Sequence, residues 1–139
     1  MDLNDRIKKI ALGLANREQA HRAGIDRAQS VADDLHARVD TAIGLFNEVV
    51  AENVSYLEVA VSATRVDDKH LHAVEFNLER GRHRAVVTVK SKGVVTLVGP
   101  FRVGKKEGPC LSFPIDAQED IDDALGDFLE CFLEEAASP

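Results

Sequence analysis

The stretch GPFRVGKKEGP, Gly99 to Pro109, comes within one residue of a phosphate-binding loop. Gly99, Gly104 and Lys105 satisfy G-x-x-x-x-G-K, and the apolar run VVTLV leads into them as a strand would. Such a loop wraps backbone N–H groups around phosphates and then starts a helix whose N-terminus faces the ligand. It also needs a hydroxyl after the lysine to hold magnesium, and Lys106 occupies that place. Gly108-Pro109 and the strand-like CLSFPI follow at once, so no helix can begin where the chemistry requires one. The segment reads instead as a glycine-bounded hairpin loop, Gly104 to Gly108, between two strands.

Charge offers a second kind of chemistry. From Arg80 to Lys106 there are eight lysines and arginines and no acid, whereas Glu107 to the end holds ten acids and no base. Alternation puts Arg82, Arg84 and Lys90 on one strand face, with Lys105 and Lys106 on a nearby loop. That patch suits phosphate groups or an acidic partner segment. The competing expectation is that the basic strands and the acidic helix neutralise one another. His70 and His72, two apart on one strand face, with His83 on the adjoining strand, fall short of the convergent ligands a metal needs. No G-x-S-x-G elbow or Cys/His signature is present, and Asp33, Asp34, Asp122 and Asp123 fall on outer helix faces. No residue is therefore nominated as catalytic or metal-binding, and no cofactor is expected. Cys110 and Cys131 sit among apolar neighbours and are expected to be buried free thiols, as suits a reducing cytoplasm.

The elements that must carry these residues come in three blocks. Residues 2 to 53 read as helix. Leu3, Ile7, Ile10 and Leu14 form one stripe, and Val31, Leu35, Val39, Ala42, Phe46, Val49 and Val50 form another. The frame fails at Arg17, His21 and Gly24, and Asp26 with Gln29 makes a capping box, so a break near Gly24 is expected. From Ser55 to Ile115 the period becomes two. SYLEVAVSATRV places Leu57, Val59, Val61 and Ala63 on one face. HAVEFNLE turns through Arg80-Gly81 into RHRAVVTVK, pairing Glu79 with Arg82, Asn77 with Arg84, and Phe76 with Ala85. A final helix starts at Asp116, capped with Glu119, and carries Ile121, Leu125, Phe128, Leu129, Phe132 and Leu133.

The fold class is therefore α+β. It comprises a long N-terminal helical region, an antiparallel meander of about five strands, and a C-terminal amphipathic helix on the sheet. Residues 1–24 form a helical arm and 25–139 a single domain. Drawn straight, the helical region would reach roughly 75 Å at 1.5 Å per residue, against a diameter on the order of 37 Å for a 139-residue globule. Leu3, Ile7, Ile10 and Leu14 must then be buried by a second chain or by a helical hairpin within one chain, and the first makes them the expected homodimer interface. Arg17, His21 and Arg38 on the seam argue against a long regular coiled coil.

Partner classes follow from composition. A net charge of −7, no tryptophan and one tyrosine make nucleic acid an unlikely partner. The N-terminus lacks a signal-peptide core, and no apolar run reaches the roughly 18 residues of a membrane span. A cytoplasmic protein, with no membrane partner, is expected. In gross shape, a small acidic chain with helices on one side of a twisted antiparallel sheet resembles the secretion chaperones of pathogenic bacteria. Those carry an inter-strand helix for which this sequence has no candidate. The expected function is a non-catalytic interaction or regulatory module, chaperone- or adaptor-like, working as a homodimer. The alternatives are a phosphate-group or small-ligand binding domain and an unrecognised enzyme.

Overall fold

Leu3 to Ala51 form one uninterrupted α-helix, α1, of 49 residues in the computed structural model, which describes residues 2–67, 72–104 and 108–138. At 1.5 Å per residue it is about 74 Å long. Asp2 caps it, its carboxylate accepting from the Asp5 N–H at 2.8 Å. The break expected near Gly24 does not occur. Gly24 is where α1 crosses the turn at Ser91, and a Cβ there would lie closer than 3.0 Å to the Ser91 carbonyl oxygen. The glycine thus permits close approach rather than a bend. Nor do Asp26 and Gln29 start a helix: Gln29 Nε2 donates to Asp33 Oδ1 at 2.9 Å and to Thr64 Oγ1 at 3.3 Å.

The described residues hold six strands rather than about five: β1 (Ala60–Val61), β2 (Arg65–Asp67), β3 (Ala73–Arg80), β4 (His83–Lys90), β5 (Val94–Arg102) and β6 (Cys110–Pro114). SYLEVAVSATRV is not one strand. It opens as a 3-10 turn, Ser55–Leu57, and then gives two short strands that both pair with β3. The sheet is antiparallel throughout and five strands wide, in the order β1-β3-β4-β5-β6 with β2 also on β3.

The β3–β4 hairpin turns through Gly81-Arg82, not Arg80-Gly81, so Glu79 lies opposite Arg84, Leu78 opposite Ala85 and Phe76 opposite Val87. Gly81 supplies the positive φ of +57° that the first turn position needs. A slip of two residues leaves every side chain on its expected face. It also lines up apolar with apolar and brings Glu79 to 2.6 Å from Arg84. The Gly99-Pro100 pair lies inside β5, where the β4–β5 register shifts between Arg84 and Val86. Gly99 has φ +108°, and a Cβ there would meet the Arg84 carbonyl oxygen at 2.9 Å. The first glycine of the would-be phosphate loop is therefore a β-bulge, and Gly104 begins the β5–β6 connection.

Helix α2 runs Gln118–Ala136. Asp116 does not cap it; its carboxylate takes Arg27 at 2.6 Å instead. Among the described residues, helices cover one face of the sheet and not the other. Ala28, Ala32, Leu35, Val39 and Ile43 of α1 pack over β3 and β4, while Ile121, Leu125, Phe128, Phe132 and Ala136 of α2 pack over β4 and β5. Two polar side chains of α1 fix the adjoining segment. Asn47 pairs with both backbone groups of Val59, each bond 2.9 Å, and so stands in for a strand neighbour. His36 reaches the Ser62 carbonyl at 2.9 Å and sets its ring edge-on to Phe76.

Two stability measurements check this account. Gly24→Ala, which in an open helix stabilises by about 0.5–1 kcal/mol, should here lower the melting temperature by about 5 °C or more. Asn47→Ala leaves two Val59 backbone groups without their partner and should cost about 1–3 kcal/mol in urea denaturation.

Candidate functional site

Of the five basic residues singled out from the sequence, Arg82, Arg84 and Lys90 are among the described residues. Lys105 and Lys106 lie outside the described residues. Arg82 is exposed in the β3–β4 turn. Arg84 points from the helix-free face and is bound to Glu79. Lys90 shares that face but stands six residues further along β4, about 20 Å away at strand rise. The same face holds a polar ladder: Arg65 reaches Glu75 at 3.0 Å and Asn77 at 2.8 Å, and Asn77 donates to Glu79 at 2.8 Å.

A different basic cluster forms at the turn end of the sheet. Arg80, Arg82, His83 and Arg102 line an open concavity of about 240 Å³ with Gly81 and Ser138. Arg80 is partly occupied there. Its guanidinium donates to the Tyr56 carbonyl at 3.0 Å and to the Ala136 carbonyl at the end of α2, where a cation complements the helix dipole. The histidines do not converge. His72, with φ +49°, precedes β3 and packs its ring 4.6 Å from that of His21 on α1. His83 is at the far end of the hairpin, and His70 lies outside the described residues. Among the described residues no three His, Cys, Asp or Glu side chains cluster as metal ligands.

Both cysteines are free and exposed, contrary to the expected burial. Cys110 alternates outward on the edge strand β6, and Cys131 lies on the flank of α2 rather than its core stripe. Cys131 lines an apolar concavity of about 260 Å³ together with Leu97, Gly99, Pro109, Leu111, Ala124, Asp127 and Phe128. Its origin is arithmetic. A helix is about 10 Å across and strands are about 4.8 Å apart, so each helix shelters about two strands. Two overlapping helices leave the inner face of β6 only partly covered: Phe113 still packs against the core, but Leu111 is 55% exposed.

The arm is a second unsheltered apolar surface. Leu3, Ile7, Ile10 and Leu14 are 70%, 57%, 60% and 56% exposed in the single chain, and every residue from Asp2 to Ala20 is exposed. No helix among the described residues is long and apolar enough to cross a membrane. Ion pairs tie α1 to α2 and to the turn before it: Arg38 to Asp122 at 2.8 Å, and Arg27 to Asp116. The sequence did not single out Arg27, Asn47 or the β6 slot. A count of helices against strands held the signal for the last.

Comparison of the chain with protein-family models, with curated proteins and with solved structures finds no significant match. What the protein does has to be argued from its own geometry.

Proposed function

We propose that this protein is a non-catalytic interaction module, adaptor- or chaperone-like, whose working unit is a homodimer joined through its N-terminal helices. The exposure of the Leu3, Ile7, Ile10 and Leu14 stripe carries this reading. Each such side chain gains about 1.5–3 kcal/mol on burial before entropy is subtracted, and a dimer buries two sets. Most helical stability in proteins comes from packing an apolar face, so the arm itself gains from a second surface.

Multi-angle light scattering of the full chain should give twice the 15.2 kDa of one chain. The pair Ile7→Asp and Ile10→Asp should give one chain at the same concentration with an unchanged core melting profile. A wild-type chain that stays monomeric at tens of micromolar overturns the dimer.

The concavity at Arg80, Arg82, His83 and Arg102 favours a second reading, the binding of a small phosphate-bearing ligand. Inorganic pyrophosphate or a nucleotide should then raise the melting temperature, and Arg82→Glu should abolish the rise. No rise with either ligand removes this reading.

A further inference from the structure

We propose that each arm of the homodimer lies in the slot over β6 of the other copy, beside that copy's α2, and so adds a third helix to its sheet. The inference builds on the dimer proposed above and names the surface the arm meets.

Helix phase is the first support. Eighteen residues make five turns of 3.6, so Ile10 and Leu14 stand directly in line with Ala28 and Ala32. The exposed stripe thus faces the same way as the α1 surface that covers its own sheet. The arm leaves its domain at the β4–β5 turn, where Gly24 touches Ser91. A second sheet placed end to end beyond that turn, related by a two-fold axis perpendicular to both sheets, has its helix layer on the same side. The straight continuation of α1 then crosses the partner's inner sheet face with its apolar stripe downward. The inner face over β6 is where that layer has a vacancy.

Charge supplies an independent support. Lys9 stands one 18-residue repeat before Arg27 and so continues into the arm the edge of α1 that carries Arg27 and Arg38, with Arg6 between that edge and the apolar stripe. Arg27 and Arg38 use that edge to grip Asp116, just before their own α2, and Asp122 on it. The two-fold rotation turns this edge toward the partner's α2. On α2 the flank away from Asp122, next to the Ala124 and Cys131 that line the slot, carries Asp120 and Asp127. A basic edge therefore meets an acidic one across an apolar floor, with the pairing already used inside each chain repeated between chains. Length agrees as well: the exposed arm from Leu3 to Ala20 and the 19 residues of α2 each span about 28 Å.

Cys131 in the slot provides a native reporter. In a Cys110→Ser background, Ile7→Cys and Ile10→Cys are each made in the full chain and oxidised mildly with diamide. At least one should form a disulfide from the arm position to Cys131 of a second chain, seen as a doubled mass on a non-reducing gel and mapped by peptide mass spectrometry. Adding Cys131→Ser should abolish it. If light scattering gives a dimer but the links join only arm to arm, or neither variant links to Cys131, the slot is overturned while the dimer stands. A Cys131 link within a single chain overturns it too, because the arm then folds back on itself. A wild-type monomer removes both proposals. A charge exchange tests the edges separately. Arg6→Glu with Lys9→Glu should weaken the dimer roughly tenfold at low salt, and adding Asp120→Lys with Asp127→Lys should recover most of that loss. Unchanged affinity in the Arg6 and Lys9 variant overturns the edge-to-edge placement.

Discussion

One helix with one apolar face, longer than the sheet it covers, is the constraint from which the rest of this structure follows. An α-helix cannot turn its stripe away from the core halfway along without a break, and α1 has none. The residues that seal the sheet and those that overhang it therefore look the same way. The inner half buries Ala28, Ala32, Leu35, Val39 and Ile43 completely or nearly so, and the outer half presents larger side chains to water. The small residues allow α1 to sit close to the sheet. Leucines and isoleucines in the arm are what one expects of a helix that meets a less crowded surface.

The sheet has the complementary irregularity. Helices α1 and α2 overlap on β4, leaving one flank of the inner face without a full cover. Antiparallel sheets commonly leave one face wet, and the outer face here is suited to that, with Arg65, Glu75, Asn77, Glu79 and Arg84 in a polar ladder. Leu111 is different, since it is apolar and on the side where the core lies. The unequal charge of the two halves of the chain also finds a place. Acidic α2 is bounded on one side by α1, whose Arg27 and Arg38 answer Asp116 and Asp122, and on the other by the slot.

Much of this architecture was legible in the sequence, because period is a local property. The change from a 3.6-residue to a 2-residue repeat located the helix–sheet boundary, and alternation assigned the faces of β3 and β4 correctly even though the turn was placed one residue early. Gly24 misled for a physical reason. A glycine in a helix is equally consistent with a break and with a close crossing, and only the distant Ser91 decides between them. The first strand misled because Val59 draws its backbone partner from the Asn47 side chain rather than from a neighbouring strand. For the basic residues, alternation fixes the face but not closeness: Arg84 and Lys90 share a face six residues apart, and Lys105 and Lys106 lie outside the described residues. The cysteines misled through their apolar neighbours in sequence, which on an edge strand and a helix flank are not neighbours in space.

The contact between Gly24 and Ser91 has a mechanical side. It is the last fixed point before the overhang, and everything N-terminal to it moves as a lever about that fulcrum. With about 28 Å of rod beyond it, a tilt of about 10° shifts the tip by about 5 Å, one helical turn's pitch. Substitutions in the β4–β5 turn, far from any surface the tip touches, are therefore amplified into misalignment at the end of the rod.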